Sequence, residues 1–257
     1  MAVASTSVSQ FFDRLVLISN SVPKSGSTYL HSMQQHFLLS LCGKGGPDFS
    51  AFTKAGIQVD GSYIPKPHSA EFLALIASPT LTGGPFVVKT HTMLNAGLRD
   101  TLLKSGNVFA SMSIRDPLDI YFSARDNFRK SGEFPEFGST QSGCEIVNGY
   151  FTKIYESSVN TSHKKTVPIV RYEQIMTDPV GALLASLNPF IKENVMRKIA
   201  EDHLNLQKAA AGASKRFNLG TLDRRALDRS DADFDHVSRA LAETRQVFGY
   251  AAKGHEI

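Results

Sequence analysis

The sequence predicts an α/β fold: one domain over residues 1–257, with a central, mainly parallel sheet flanked by helices and residues 1–12 as a flexible N-terminus. Two observations carry this. Four short apolar runs are bounded by Gly, Pro or polar clusters, and segments with helical periodicity lie between them. Such β–α alternation is the pattern of a parallel sheet covered on both faces.

The strands fall at 15–19 (LVLIS), 85–89 (PFVVK), 108–114 (VFASMSI) and 166–171 (TVPIVR). After the first, Tyr29, Met33, Phe37 and Leu41 recur every fourth residue and Leu30 and Leu38 widen the stripe, giving a helix that ends before Gly43. Further helices are expected at 95–104, 117–130, 143–157, 179–188, 192–210 and 233–248. Segments 43–70 and 131–142, rich in Gly, Pro, Ser and Phe, read as irregular walls around a site.

With 42% hydrophobic and 20% charged residues, the 257-residue chain can bury a sizeable core. The net charge of +4 favours an anionic partner, but the 28 basic residues are spread too evenly for a nucleic-acid tail. Cys42 and Cys144 lack metal-ligand spacing and read as thiols of a reducing compartment. No leader pattern or membrane-length apolar run occurs, so a cytoplasmic protein with no membrane span is expected.

The strand–loop–helix at 14–33 raises the first chemical question. A loop that delivers a buried strand to a helix start offers backbone N–H groups and the positive end of the helix dipole. Lys24 adds a full charge, Ser27 and Thr28 add hydroxyl donors, and Gly26 permits close backbone approach, so phosphate or sulfate is the natural guest. Neither G-x-x-x-x-G-K-[ST] nor a G-x-G-x-x-G after the first strand is present.

Pro23-Lys24-Ser25-Gly26-Ser27-Thr28-Tyr29-Leu30 resembles the P-K-[SA]-G-[ST]-[TN]-[WY]-[LV] phosphosulfate loop of sulfotransferases that use 3′-phosphoadenosine 5′-phosphosulfate (PAPS). Three more segments are similar to that family. "SIRDPLDIYFSARDNF" (113–128) matches R-[ND]-P-x-D-x-x-x-S, with Arg115 and Ser123 at the family separation; "FVVKTHTM" (86–93) resembles the K-T-H segment; and "RYEQIMTDP" (171–179) follows the R-Y-E-x-[LIM]-x-x-D-P pattern. The likenesses span most of residues 14–250.

The resemblance implies a P-loop-like sulfotransferase fold and an enzyme that moves a sulfonate from PAPS to an acceptor hydroxyl, less readily an amine, without a metal. The product would be 3′-phosphoadenosine 5′-phosphate (PAP). It implies that Lys24, Ser25, Gly26, Ser27, Thr28 and Tyr29 hold the 5′-phosphosulfate end, that Arg115 and Ser123 grip the 3′-phosphate, and that Tyr172 lies near adenine. Because Ser123 sits two turns into a helix from Arg115, one phosphate meets both only if the chain folds back over the nucleotide. Asp119 is then structural. His91 would be the general base, with Lys24 on the leaving oxygen and Lys89 on the transferring group. Other family branches carry a carboxylate base early in the first helix, which makes His31 the alternative. The rivals from other classes are a P-loop-like nucleotide kinase and a non-catalytic anion-binding module.

Two family features are missing. The closing R-K-G-x-x-G-[DE]-W stretch is replaced by "SKRFNLGTLDRR" (214–225), in which Arg216 is the choice for the nucleotide contact, and the chain has no Trp. The dimerisation segment K-x-x-x-T-V-x-x-x-E is also missing, which leaves the oligomeric state open. Phe49, Phe52, Tyr63, Phe128, Phe134 and Phe137 lie in or beside the irregular segments and suggest an apolar or aromatic small-molecule acceptor.

Overall fold

A computed structural model describes residues 10–46, 48–92, 96–159, 167–188, 197, 200–201 and 231–250. Among the described residues, four strands, β1 (Val16–Ser21), β2 (Phe86–Thr90), β3 (Val108–Ile114) and β4 (Ile169–Arg171), form a parallel sheet in the order β2-β1-β3-β4. The chain leaves β1 for β2 on one side and then crosses to β3 on the other. Such a reversal is a topological switch point, and open α/β sheets bind ligands beyond the carboxyl ends of the strands at such points.

The helices are α1 (Ser27–Leu41), α2 (Ser50–Lys54), α3 (Ala70–Ala77), α4 (Ala96–Lys104), α5 (Pro117–Ser131), α6 (Thr140–Val159), α7 (Tyr172–Thr177), α8 (Pro179–Leu187), α9 (Phe234–Ala240) and α10 (Ala242–Val247). Side chains along β1 alternate between two faces. Leu15 and Leu17 pack with Met33 and Phe37 of α1 and Leu183 of α8, whereas Val16 and Ile18 pack with Phe52, Phe72, Ile76 and Leu98 from α2, α3 and α4. A third cluster joins Met112 and Ile114 of β3 to α5, α6 and Val237, Leu241 and Tyr250 near the C-terminal end.

Strand β3 has the bounds the sequence predicts. The fourth strand is shorter than the expected 166–171 and starts after Pro168, which lacks the N–H needed for ladder pairing. The segments expected to be irregular contain local order: α2 and a short 3₁₀ helix (Pro135–Gly138). The expected 233–248 helix is two helices, parted at Leu241. Of the expected flexible N-terminus, residues 1–9 lie outside the described residues. Residues 10–14 are helical, and Phe11 and Phe12 pack on the core. The expected 192–210 helix falls almost wholly outside the described residues.

Asp-Pro pairs start two helices in the same way. Asp116 accepts from Leu118 N–H at 2.9 Å and Asp178 accepts from Gly181 N–H at 2.9 Å, each followed by Pro at the first helical position. Among the described residues no helix is long and apolar enough to cross a membrane.

Candidate functional site

The loop between β1 and α1 has a backbone arrangement that suits an anion. Gly26 caps α1 in the left-handed region (φ 77°) with no side-chain cap bond, and Lys24 also has positive φ (67°), a conformation that costs a non-glycine residue roughly 1 kcal/mol. The first helical bonds run from Tyr29 and Leu30 N–H to Gly26 O at 3.0 and 3.1 Å. The N–H groups of Ser27 and Thr28 therefore precede the ladder and stand at the positive end of the helix dipole. Ser25 does not share in this. Its hydroxyl is buried, lying 2.7 Å from Val22 O, 3.0 Å from Ser113 O and 2.9 Å from Ser113 Oγ, and it stitches the loop to β3. The Lys24 ammonium lies 5.0 Å from the centre of the Phe134 ring, which brings segment 131–142 over the loop. Tyr29 is buried in the core below, and burial raises its phenol pKa.

On one side of the loop, β2 supplies Lys89 and, immediately past its end, His91. Lys89 is buried and donates to Thr28 Oγ1 at 2.7 Å, joining strand and loop. His91 Nδ1 lies 2.9 Å from Ser21 Oγ and 3.2 Å from Ser21 O, at the end of β1. The Tyr63 ring is 5.8 Å away, carried by a backbone bridge between Tyr63 and Lys89. His31 sits elsewhere. It is buried beneath α1 with Nε2 3.2 Å from Val87 O, and desolvation pushes its pKa down to about 4.

On the other side, Arg115 follows β3 and is buried. Its Nε donates to Asp119 Oδ2 at 3.3 Å, one helical turn on, and its Nη2 lies 3.2 Å from the same oxygen without making a hydrogen bond. The guanidinium carbon stands 4.2 Å from the centre of the buried Tyr172 ring. That same ring abuts Gly26: a Cβ there would come within 2.6 Å of Tyr172 Cδ2. One aromatic ring thus touches both the loop and Arg115. Ser123 is buried two turns into α5.

A C-terminal clasp reinforces this side. Arg245 donates to both carboxylate oxygens of Asp116 (2.9 and 3.1 Å), Arg171 donates to Phe248 O at 2.6 Å and stacks 4.4 Å from the Tyr250 ring centre, and Tyr250 donates to Glu173 at 3.3 Å. Burial beside Glu173 drives the Tyr250 pKa upward.

No protein-family model and no curated protein sequence matches the chain. Solved structures do. Retinol dehydratase in complex with androsterone and the inactive cofactor PAP aligns with a TM-score of 0.55 at 15% identity, over 95% of this chain and 83% of that one. Retinol dehydratase in a complex with retinol and PAP aligns with a TM-score of 0.54 at 15% identity, over 91% and 82%. The chain has the sulfotransferase-like α/β fold. A mouse sulfotransferase, SULT7A1, complexed with PAP aligns over 97% of this chain and 95% of that one at 16% identity, with a TM-score of 0.46, too low to bear on the fold.

Within this sulfotransferase-like fold, Lys24, Gly26, Ser27, Thr28, Lys89, His91, Arg115 and Tyr172 gather at the carboxyl edge of the sheet. Ser25 and His31 turn away from it, and Arg216 lies outside the described residues. Of the six rings expected at an acceptor pocket, Phe49 and Phe52 belong to the core beneath β2, and Phe128 and Phe137 pack in the third cluster. Tyr63 and Phe134 are the two that reach the candidate site. Sequence reasoning missed Ser21, Arg245 and Tyr250, whose roles rest on contacts between distant segments. Among the described residues, no group of three or more His, Cys, Asp or Glu is placed to hold a metal ion.

Proposed function

We propose that this chain is a PAPS-dependent sulfotransferase that moves a sulfonate group to the hydroxyl of a small acceptor. The observation that carries the reading is the Tyr172 ring packed on both Gly26 and Arg115, because it sets two separate anion-binding groups one ring apart. A bisphosphorylated nucleotide needs such a pair, and AMP or a single phosphate does not. The residues fit the nucleotide: α1 begins without a side-chain cap, and buried Arg115 holds an Nη2 that makes no protein hydrogen bond.

When bound, PAPS would supply the activated sulfonate. Ser27 and Thr28 would donate to its 5′-phosphate, and Arg115 to its 3′-phosphate. Lys24 would meet the charge that grows on the leaving oxygen, and Lys89 would keep Thr28 oriented while adding its own charge beside the transferring group. His91 would take the acceptor proton. His31 suits that role poorly, since it is buried against Val87 O with its pKa pushed down to about 4. Tyr63 and Phe134 favour an acceptor with an apolar or aromatic face.

Calorimetry with PAP and AMP, followed by transfer of labelled sulfonate from PAPS to a panel of alcohols and phenols, tests the reading. PAP should bind much more tightly than AMP and at least one acceptor should be labelled. Equal affinity for the two nucleotides would overturn it.

A further inference from the structure

Ser21 ends β1 and faces the first residue beyond β2. Both of its oxygens contact one nitrogen of His91: the hydroxyl at 2.9 Å and the carbonyl at 3.2 Å from Nδ1. A carbonyl oxygen has no proton to give, so Nδ1 is the donor of that contact. The hydroxyl then accepts from the same N–H, and its own proton has Thr90 O at 3.5 Å to turn towards. A neutral imidazole carries one ring proton, so Nε2 is left as the acceptor nitrogen.

Ser21 is itself firmly placed. It is buried, its N–H donates to Asn20 Oδ1 at 2.8 Å, and it lies in ladder register with Ser113 of β3. We infer that Ser21 is a positioning residue that fixes His91 in the Nδ1–H tautomer and so presents Nε2 as the proton-accepting atom. The tautomer stands on geometry alone; its consequence for turnover rests on the sulfotransferase reading. The arrangement has a further merit. Imidazolium keeps its Nδ1–H, so the contact to Ser21 survives when Nε2 gains a proton, and the ring need not reorient during the step.

The test has two independent arms. In the protein without added ligand, nitrogen-15 NMR of His91, at a pH where the ring is neutral, should give a protonated Nδ1 and an unprotonated Nε2. The reverse pattern would overturn the proposal whatever the enzyme does. In the second arm, Ser21→Ala should lower kcat about five- to tenfold on a weakly acidic alcohol, the worth of one hydrogen bond, with the donor KM unchanged and a nitrophenol acceptor little affected. Ser21→Thr, which keeps the hydroxyl, should restore the rate. Unchanged alcohol turnover in Ser21→Ala, which keeps the residue 21 carbonyl, would remove the Ser21 hydroxyl from positioning and overturn this arm. A correct tautomer in a protein that transfers no sulfonate would instead overturn the sulfotransferase reading and leave the tautomer standing.

Discussion

The Arg115 guanidinium stacks on the ring of Tyr172, 4.2 Å from its centre, and that ring leaves no room for a side chain at Gly26. The loop, Tyr172 and Arg115 therefore form one packed unit rather than two segments that meet by chance.

Gly26→Ala tests this unit. The new methyl would sit 2.6 Å from Tyr172 Cδ2 on a backbone with φ 77°, so ring or loop must shift. We expect a loss of about 1–3 kcal/mol in urea unfolding from backbone strain and overpacking, together with weaker PAP binding. Wild-type stability would show that the ring has space to withdraw.

Arg115→Ala should weaken PAP by about 1.5–3 kcal/mol, the range for hydrogen bonds to charged groups, and leave AMP nearly unchanged in calorimetry. Arg115→Lys should recover only part of the loss, because an ammonium keeps the charge but not the planar stack on Tyr172.

His31 predicts an acid limb in stability. Its usual pKa of 6.5 falls to about 4 in the folded protein, chiefly through desolvation. Between those values the unfolded chain binds a proton that the native state refuses, so stability is complete above pH 6.5 and declines as pH falls towards 4. The decline attributable to this group is on the order of 3 kcal/mol. His31→Gln retains a donor for Val87 O and removes the titration, so urea unfolding of the variant should lose that much less over the same interval.

The Asp116–Arg245 pair should behave as a buried ion pair. Arg245→Ala strips the guanidinium from a buried carboxylate and is expected to cost about 3–5 kcal/mol. Asp116→Asn keeps a good helix cap, and when combined with Arg245→Met it should recover most of the loss. A double-mutant cycle by denaturant unfolding measures the coupling; strict additivity would contradict it.

These residues also mark what could be read from the chain. Strand 108–114 was legible because a run rich in apolar residues (VFASMSI) lies between turn residues and Arg115, and the Asp-Pro caps because capping is local chemistry. Asp119 likewise reads as structural, since one helical turn brings it to Arg115. Direction was not legible. Nothing in P-K-S-G-S-T says that Ser25 faces Ser113 while Ser27 and Thr28 open the helix, and the spacing of His31 from the loop does not reveal that it lies against Val87. Phe49 and Phe52 were drawn into the core because a segment that looks irregular hides a short helix with a face to bury. Arg245 reaches Asp116 across 129 positions, a distance over which no local pattern can speak.

The clasp formed by Arg245, Phe248 and Tyr250 bears on how the protein is made. Its partners precede it by 129 positions at Asp116 and by 77 at Arg171 and Glu173. All three clasp residues follow every strand of the sheet and the β1–α1 loop in sequence. On a ribosome, the strands and the phosphate-type loop emerge well before the residues that clamp the Arg115 and Tyr172 segments. A nascent chain arrested short of residue 245 would carry the loop but lack the clamp on the Arg115 and Tyr172 segments, so the seating of Arg115 against the loop would be secured only as residues 245–250 are delivered.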